Sequence, residues 1–373
     1  MMLYQNFRNG INLGGWLSQY EYIAGQPLNE EHVGQHLASF ITEQNIAEIA
    51  GWGCDHVRLP IDGNLLYEEK TDSLRKPVLD KIYDCIHWCD MYHLNLVLDL
   101  HDIEGNVWGA MDDAMPLLTD KRLWHRLVRV WELLTETLLP IRKPLLMFEL
   151  LNEVSDASGA YPADDPTGSG WDVSGNSELL WNRLASDILA AIRRIDPERY
   201  VLIGSNGQNS AVYLKELQIV SDPHVAYNFH FYDPQVFTHQ KAGFSEEMSE
   251  YNRTVHYPDD IRSFSEYLKT HPNFQSKYRL VAREPFNNYA LMKRLMQPAI
   301  QFIQDTGREI YCGEFGVIDE APVSDAAHWI HDLCSIMDDN KIGHALWNYK
   351  YLSFGLVGLD NRPVSCLYKE IFG

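Results

Sequence analysis

Residues 144–153 read Pro-Leu-Leu-Met-Phe-Glu-Leu-Leu-Asn-Glu, and their reading decides the fold. Leu145, Leu146, Met147, Phe148, Leu150 and Leu151 make a run too continuous for a strand with one wet face. Bounded by Pro144 and a polar loop, the run predicts a parallel strand buried on both sides. It stops at Asn152-Glu153, an amide and a carboxylate whose burial is costly unless both are hydrogen-bonded or used. The pattern recurs in Arg308–Gly316 (REIYCGEFG), where Glu314 closes a second apolar strand. Two acids at the tips of two parallel strands suit a double-displacement reaction.

Outward from this stretch, strand and helix alternate along the whole chain. Further strands are expected at Gly10–Trp16, Cys54–Pro60, Leu94–His101, Tyr200–Ser205, Val225–Phe231, Glu309–Phe315 and His344–Tyr349. Helices are expected at Thr42–Gly51, Val78–Tyr92, Asp120–Leu139, Glu178–Ile195 and Ser324–Asp338. In the second of these, Leu79, Ile82, Tyr83, Ile86 and Cys89 follow the three-to-four spacing of one buried face. Eight strands with intervening helices leave an open doubly wound sheet or a closed (β/α)8 barrel. Gly51-Trp-Gly53 lacks the third glycine of a dinucleotide turn and precedes a strand instead of following one. Polar residues collect at the carboxyl ends of the strands: Arg58, His101, Asn152, Glu153, His230, Glu314 and Trp347. In a barrel those ends share one mouth, so the expected class is α/β, a TIM barrel with long loops after strands four and six. Those loops are 155–176, rich in Gly, Pro, Asp and Ser, and 233–288, with a helix expected near Ile261–Thr270. No repeat or linker marks a second domain, so residues 1–373 are expected to form one catalytic unit with an insertion-like region at about 233–288.

Composition narrows the partners. Of 373 residues, 45% are apolar and 22% charged, which excludes a disordered chain. A net charge of −21 argues against nucleic acid, whose phosphates demand clustered Lys and Arg. No run of about 20 apolar residues exists to cross a membrane. The start MMLYQNFRNG lacks a charged-then-apolar secretion signal. The expectation is a cytoplasmic protein, or a secreted one if a signal was trimmed. Cys54, Cys85, Cys89, Cys312, Cys334 and Cys366 form no C-x-x-C pair and read as buried thiols in a reducing compartment. His32 and His36 have the helical spacing of two metal ligands but lack the Glu that follows the first His in zinc peptidases. His328 and His331 are expected on a solvated helix face.

The two acids define the chemistry to expect. A retaining glycosidase needs a carboxylate nucleophile and a carboxylic acid about 5–5.5 Å apart. Glu153 is assigned the acid, then base, role and Glu314 the nucleophile. Arg58 is expected beside Glu314 as its counter-ion, with Tyr232 donating to the same carboxylate. Asn152 is placed to bond the sugar hydroxyl next to the reacting carbon. Glu153 has to stay protonated near neutral pH, so its surroundings should raise its pKa. Trp347 offers a flat face to a pyranose, with Trp108, Trp171 and Tyr20 as further platforms.

The motifs GINLGGWL (11–17 with Gly10), FITEQNIAEIAGWGCDHVRLPI, LDLHDIEGN, FELLNE, NFHFYDPQVFTHQ, YCGEFG and ALWNYK occur in that order. Together they resemble glycoside hydrolase family 5, the cellulase family of (β/α)8 retaining enzymes, from end to end. The opening is similar both to endoglucanases and to the exo-β-1,3-glucanase branch. The resemblance implies Glu153 as acid/base and Glu314 as nucleophile. It also implies Arg58, His101, Asn152, His230, Tyr232 and Trp347 as supporting residues, and neither metal nor other cofactor. Val154 departs from the family, which commonly has proline after Asn-Glu. The implied substrate is a β-linked glucan or a short soluble gluco-oligosaccharide. β-Mannan or xyloglucan on the same machinery, and a non-catalytic sugar-binding barrel, are the competing readings.

Overall fold

The computed structural model describes residues 3–20, 23, 30–106, 116–154, 179–275, 278, 281–363, 367 and 371. The loop 155–176, with Trp171, and Trp108 and Cys366 lie outside them. Eight parallel strands close into a barrel: β1 (Asn9–Asn12), β2 (His56–Asp62), β3 (Asn95–Asp102), β4 (Leu146–Glu149), β5 (Tyr200–Gly204), β6 (Val225–Phe231), β7 (Ile310–Phe315) and β8 (Gly343–Leu346). Each pairs with its chain neighbours, and β1 pairs with both β2 and β8 to complete the ring. The expected barrel is the observed one. Its first, fourth and last strands end earlier than the apolar runs do, because the chain leaves the ladder to build the mouth. Gly14 N–H, for example, donates to the Asn348 side chain and not to a strand carbonyl (2.9 Å).

Side chains alternate across a strand, so inward positions recur every second residue. Val97, Met147, Leu202, Ala226, Tyr311 and Ala345 form one inner apolar layer, closed from below by Leu3 and Phe7. Two residues further along come Asp99, Glu149, Gly204, Asn228 and Gly313, with Trp347 just past the end of β8, and Arg58 comes two after His56. The layer above the apolar plug is therefore polar, and Arg58, Asp99, Glu149 and Asn228 are all completely buried. The alternate residues Leu98, Phe148, Ile203, Phe229 and Cys312 face the surrounding helices.

By this parity Glu314 would point away from the mouth, in step with Cys312. It does not, because β7 carries an irregularity: Cys312 pairs with Phe229 while Glu314 pairs with the very next residue, His230. The extra residue resets the alternation and turns Glu314 inward.

Six helices sit where they are expected, α1 (Glu43–Gly51), α2 (Lys76–Met91), α3 (Lys121–Leu138), α4 (Leu180–Ile195), α5 (Arg262–Thr270) and α7 (Val323–Asp339), while α6 (Gln297–Thr306) was not foreseen. In α2 the buried face is Val78, Ile82, Cys85, Ile86 and Cys89. Tyr83 was expected on it but is 38% exposed and donates to the Thr137 carbonyl (3.2 Å). One position in 3.6 is too fine for apolar spacing alone to resolve. Cys54, Cys85, Cys89 and Cys312 are buried free thiols, as expected, and Cys334 is half-buried. No helix among the described residues is long and apolar enough to cross a membrane.

Two indoles brace the loops above the barrel. Trp131 Nε1 of α3 donates to the Leu150 carbonyl (2.9 Å), and Trp181 Nε1 of α4 to that of Gly204 (2.8 Å). The 233–288 segment, read as a long loop with one helix, carries more structure than that. Asp259–Asp260 pairs antiparallel with Phe286–Asn287, and α5 packs Phe264 and Leu268 into the same apolar cluster as the barrel's outer side chains. Tyr257 then ties the segment to α7 by donating to Asp332 (2.7 Å).

Candidate active site

Arg58 is the hub of the polar layer. A guanidinium has five N–H donors, and here all five are used. Nε and Nη2 hold both oxygens of Glu149 (2.7 and 2.8 Å), and Nη1 reaches Asn12 Oδ1 (2.9 Å) and Glu314 Oε1 (2.7 Å). Nη2 also reaches Asn152 Oδ1 (2.8 Å), with Asp99 Oδ2 at 3.0 Å. Three carboxylates and two amides thus converge on one fully buried cation. Such a charge is tolerated inside a protein only when it is paired and hydrogen-bonded throughout.

Glu314 occupies the upper rim of this layer, and its second oxygen accepts from the Tyr232 hydroxyl (3.0 Å). Glu153 approaches from the loop after β4. Its backbone is left-handed at φ 43°, a conformation with a cost of about 1 kcal/mol or more for a residue with a side chain. Its neighbours pin it there: Asn152 N–H donates to Leu100 O (2.9 Å) and Gln208 N–H to Val154 O (3.1 Å). His230 Nδ1 lies 2.9 Å from Glu153 Oε1 and 3.6 Å from Glu314 Oε2. The nearest oxygens of the two acids and this nitrogen all fall within 4.8 Å of one another. Two carboxylates and an imidazole are metal-binding types. Here Glu314 already accepts from Arg58 and Tyr232, and Glu153 is bonded to His230.

Burial pushes the Glu153 carboxyl up to about 7, with the nearby Asp102 and Asp99 charges adding to it against the opposing pull of His101 and Arg58. The group is therefore an acid near neutrality. The two histidines divide. Burial alone would depress His101, but the Asp99 carboxylate 2.8 Å from its Nδ1, aided by Glu314, lifts it to about 9. For His230 burial is the largest effect and lowers it to about 4, with Arg58 and His101 adding to the drop against the opposing pull of Glu314 and Glu149, which favours the neutral ring. Burial and the two acids raise Tyr232, which stays a hydroxyl donor.

The packing around this group explains two glycines. A Cβ on Gly313 would meet the Asn228 amide at 2.8 Å, and Gly313 N–H donates to that amide (2.8 Å). A Cβ on Gly14 would meet the Trp347 indole at 2.5 Å. Trp347 lies parallel to His101, 5.5 Å between ring centres, at the edge of the same mouth.

The structure thus gathers Arg58, His101, Asn152, Glu153, His230, Tyr232, Glu314 and Trp347, all named from the sequence, into one connected group. Tyr20 does not present an open face: it is buried with its ring edge-on to His36. His36 donates from Nε2 to the Gly15 carbonyl (2.8 Å), which gives it a structural role. His328 and His331 are exposed on α7. Sequence reasoning missed Asp99, Glu149, Asn12, Asn228 and Asn209. The signal was the period of two: Asp99 stands two before His101, and Asn228 two before His230.

Known proteins share this architecture. A family model described as "Cellulase (glycosyl hydrolase family 5)" matches residues 22–353. Endoglucanase C of Acetivibrio thermocellus is 36% identical over 365 residues, spanning 96% of either chain. Cellodextrinase A of Ruminococcus flavefaciens is 30% identical over 333 residues, covering 89% of this chain and 82% of that one. A solved hyperthermophilic endo-β-1,4-glucanase in complex with substrate shares the fold, with a TM-score of 0.71 at 20% identity over 100% of each chain.

Proposed function

The chain belongs to glycoside hydrolase family 5, the cellulase family, and from that premise we propose that it cleaves β-1,4-glucosidic bonds of soluble glucans and cello-oligosaccharides with retention of configuration. Glu314 is the nucleophile and Glu153 the acid and then the base. The observation that carries this reading is the pairing itself: two carboxyl groups from distant parts of the chain whose nearest oxygens lie within 4.8 Å, one bound to a cation and the other raised to about 7. So close an approach supports direct attack by one acid over the wider gap that an inverting pair keeps for a water.

In the first step Glu314 attacks the anomeric carbon as Glu153 passes its proton to the departing glycosidic oxygen. The C–O bond to the leaving sugar breaks and a covalent glycosyl ester forms. Glu153, now a carboxylate, takes a proton from water, whose oxygen attacks the same carbon and releases Glu314. Arg58 and Tyr232 hold Glu314 from two sides so that one oxygen faces the sugar. Endoglucanase C and cellodextrinase A, as the names of relatives, support β-glucan over mannan as the substrate class.

Azide tests both roles at once. In Glu153→Ala on an activated aryl β-cellobioside, azide should restore turnover and yield the β-glycosyl azide, the product of two inversions. In Glu314→Ala the azide stands in for the lost carboxylate and the product should be the α-azide. The same product from both variants would end the assignment.

The pH profile follows from the raised acid. Glu153 must be protonated for the first step, and that form is lost as pH rises through about 7. The kcat/KM of the wild type should therefore fall on its alkaline limb with an apparent pKa near 7. A limb near 4.5, the ordinary carboxylate value, would show that burial does not tune Glu153.

A further inference from the structure

Beside the two acids, the group contains a buried amide with no part in the chemistry described above. Asn209 is completely buried, and its Nδ2 lies 3.1 Å from His230 Nε2. It sits in a short turn after β5 in which Gly207, Gln208 and Asn209 all adopt left-handed backbone conformations (φ 61°, 59° and 56°). The turn grips the Glu153 assembly at two points. Gln208 N–H holds the Val154 carbonyl, and the Asn209 amide holds the far side of His230. The oxygen of that amide rests on Gly204, where a Cβ would meet it at 2.5 Å, and makes no hydrogen bond.

An amide nitrogen can only donate, so the His230 nitrogen facing it must be the bare one. In a neutral imidazole the proton then sits on Nδ1, pointing at Glu153 Oε1. The opposite amide orientation would leave Nδ1 bare, so that the Glu153 proton would be drawn to it on Oε1 and Glu314 Oε2 would face its lone pair 3.6 Å away. We propose that Asn209 is a positioning residue that fixes His230 with its proton on Nδ1, so that the acid proton of Glu153 is confined to Oε2, the oxygen His230 does not engage. Oε2 is then the only position from which the acid can donate, and no proton is lost to the histidine. This rests on the reading of Glu153 as the acid given above.

The same molecule contains the contrasting case. His101 has the Asp99 carboxylate on Nδ1 and is raised to about 9, whereas His230, with the Glu153 carboxyl on Nδ1 and the Asn209 amide on Nε2, is lowered to about 4. A carboxylate at position 209 should therefore convert His230 to a cation, which favours the ionised form of Glu153.

Nitrogen-15 NMR of imidazole-labelled wild type at pH 6–8 reads the tautomer directly, with the His230 signal assigned by its absence from His230→Gln. A protonated Nδ1 and a bare Nε2 are expected; a protonated Nε2 overturns the proposal. In Asn209→Asp both ring nitrogens should be protonated, and the alkaline limb of kcat/KM should move down by about one pH unit. A loss of activity with the limb unmoved would mean that Asn209 is merely structural. Should Asn209→Asp fail to fold, the wild-type spectrum decides alone. The azide experiment keeps the two ideas separable. If it fails while Nδ1 is protonated, the acid assignment is wrong; if it succeeds with Nε2 protonated, only the proposal about Asn209 falls.

Discussion

Glu314→Gln should lose turnover on an aryl β-cellobioside by on the order of 10⁵-fold, the scale expected when a covalent nucleophile is removed. The substitution keeps the shape of the side chain. Its amide oxygen can still accept from Arg58 Nη1, and its NH2 can donate to the Tyr232 hydroxyl where the carboxylate accepted from it. Folding and sugar binding should therefore survive, so calorimetry with cello-oligosaccharide should show retained affinity beside the vanished kcat. This pairing of results separates an enzyme from a sugar-binding barrel. Turnover within tenfold of wild type would remove Glu314 from the chemistry altogether.

Arg58→Leu is the substitution with the largest expected effect on stability. It deletes five hydrogen bonds at once, leaves Glu149 and Glu314 buried without their cation, and leaves Asp99 with His101 alone. Breaking one side of a buried ion pair costs about 3–5 kcal/mol, since the stranded charge keeps its desolvation penalty. With three carboxylates involved, the loss should reach at least the top of that range, read from the urea unfolding midpoint. The deficit should be larger at pH 8 than at pH 5, because acid neutralises carboxylates that have lost their counter-ion. Arg58→Lys should not rescue it, as a single ammonium with three donors cannot span Glu149, Glu314 and two amides. A midpoint unchanged at pH 8 would mean that the hub is not what holds the polar layer together.

Much of this was legible before any coordinates. Eight apolar runs with polar ends gave both the barrel and the rim, because burial on two faces and function at one end leave different marks on a sequence. The tier beneath the rim was harder to see. Glu149 lies inside the apolar run Leu145–Leu151, and a single acid there reads as an interruption, not as half of an ion pair with a residue 91 positions away. Asn12, Asn228 and Asn209 have ordinary residue types, and their roles exist only through the partners the fold brings to them. The 233–288 segment hid its two-residue ribbon and its link to α7, since strands that short leave no periodicity to detect.

The irregularity in β7 has a consequence for anyone wishing to transplant this chemistry. Copying Glu314 and Glu153 onto another eight-stranded ring would not reproduce it if the recipient's seventh strand ran without the extra residue. The acid would be delivered to the helical shell, and the ring would still close. Whether such a graft can become a hydrolase is set by one step of backbone phase and not by the identity of the residues carried across.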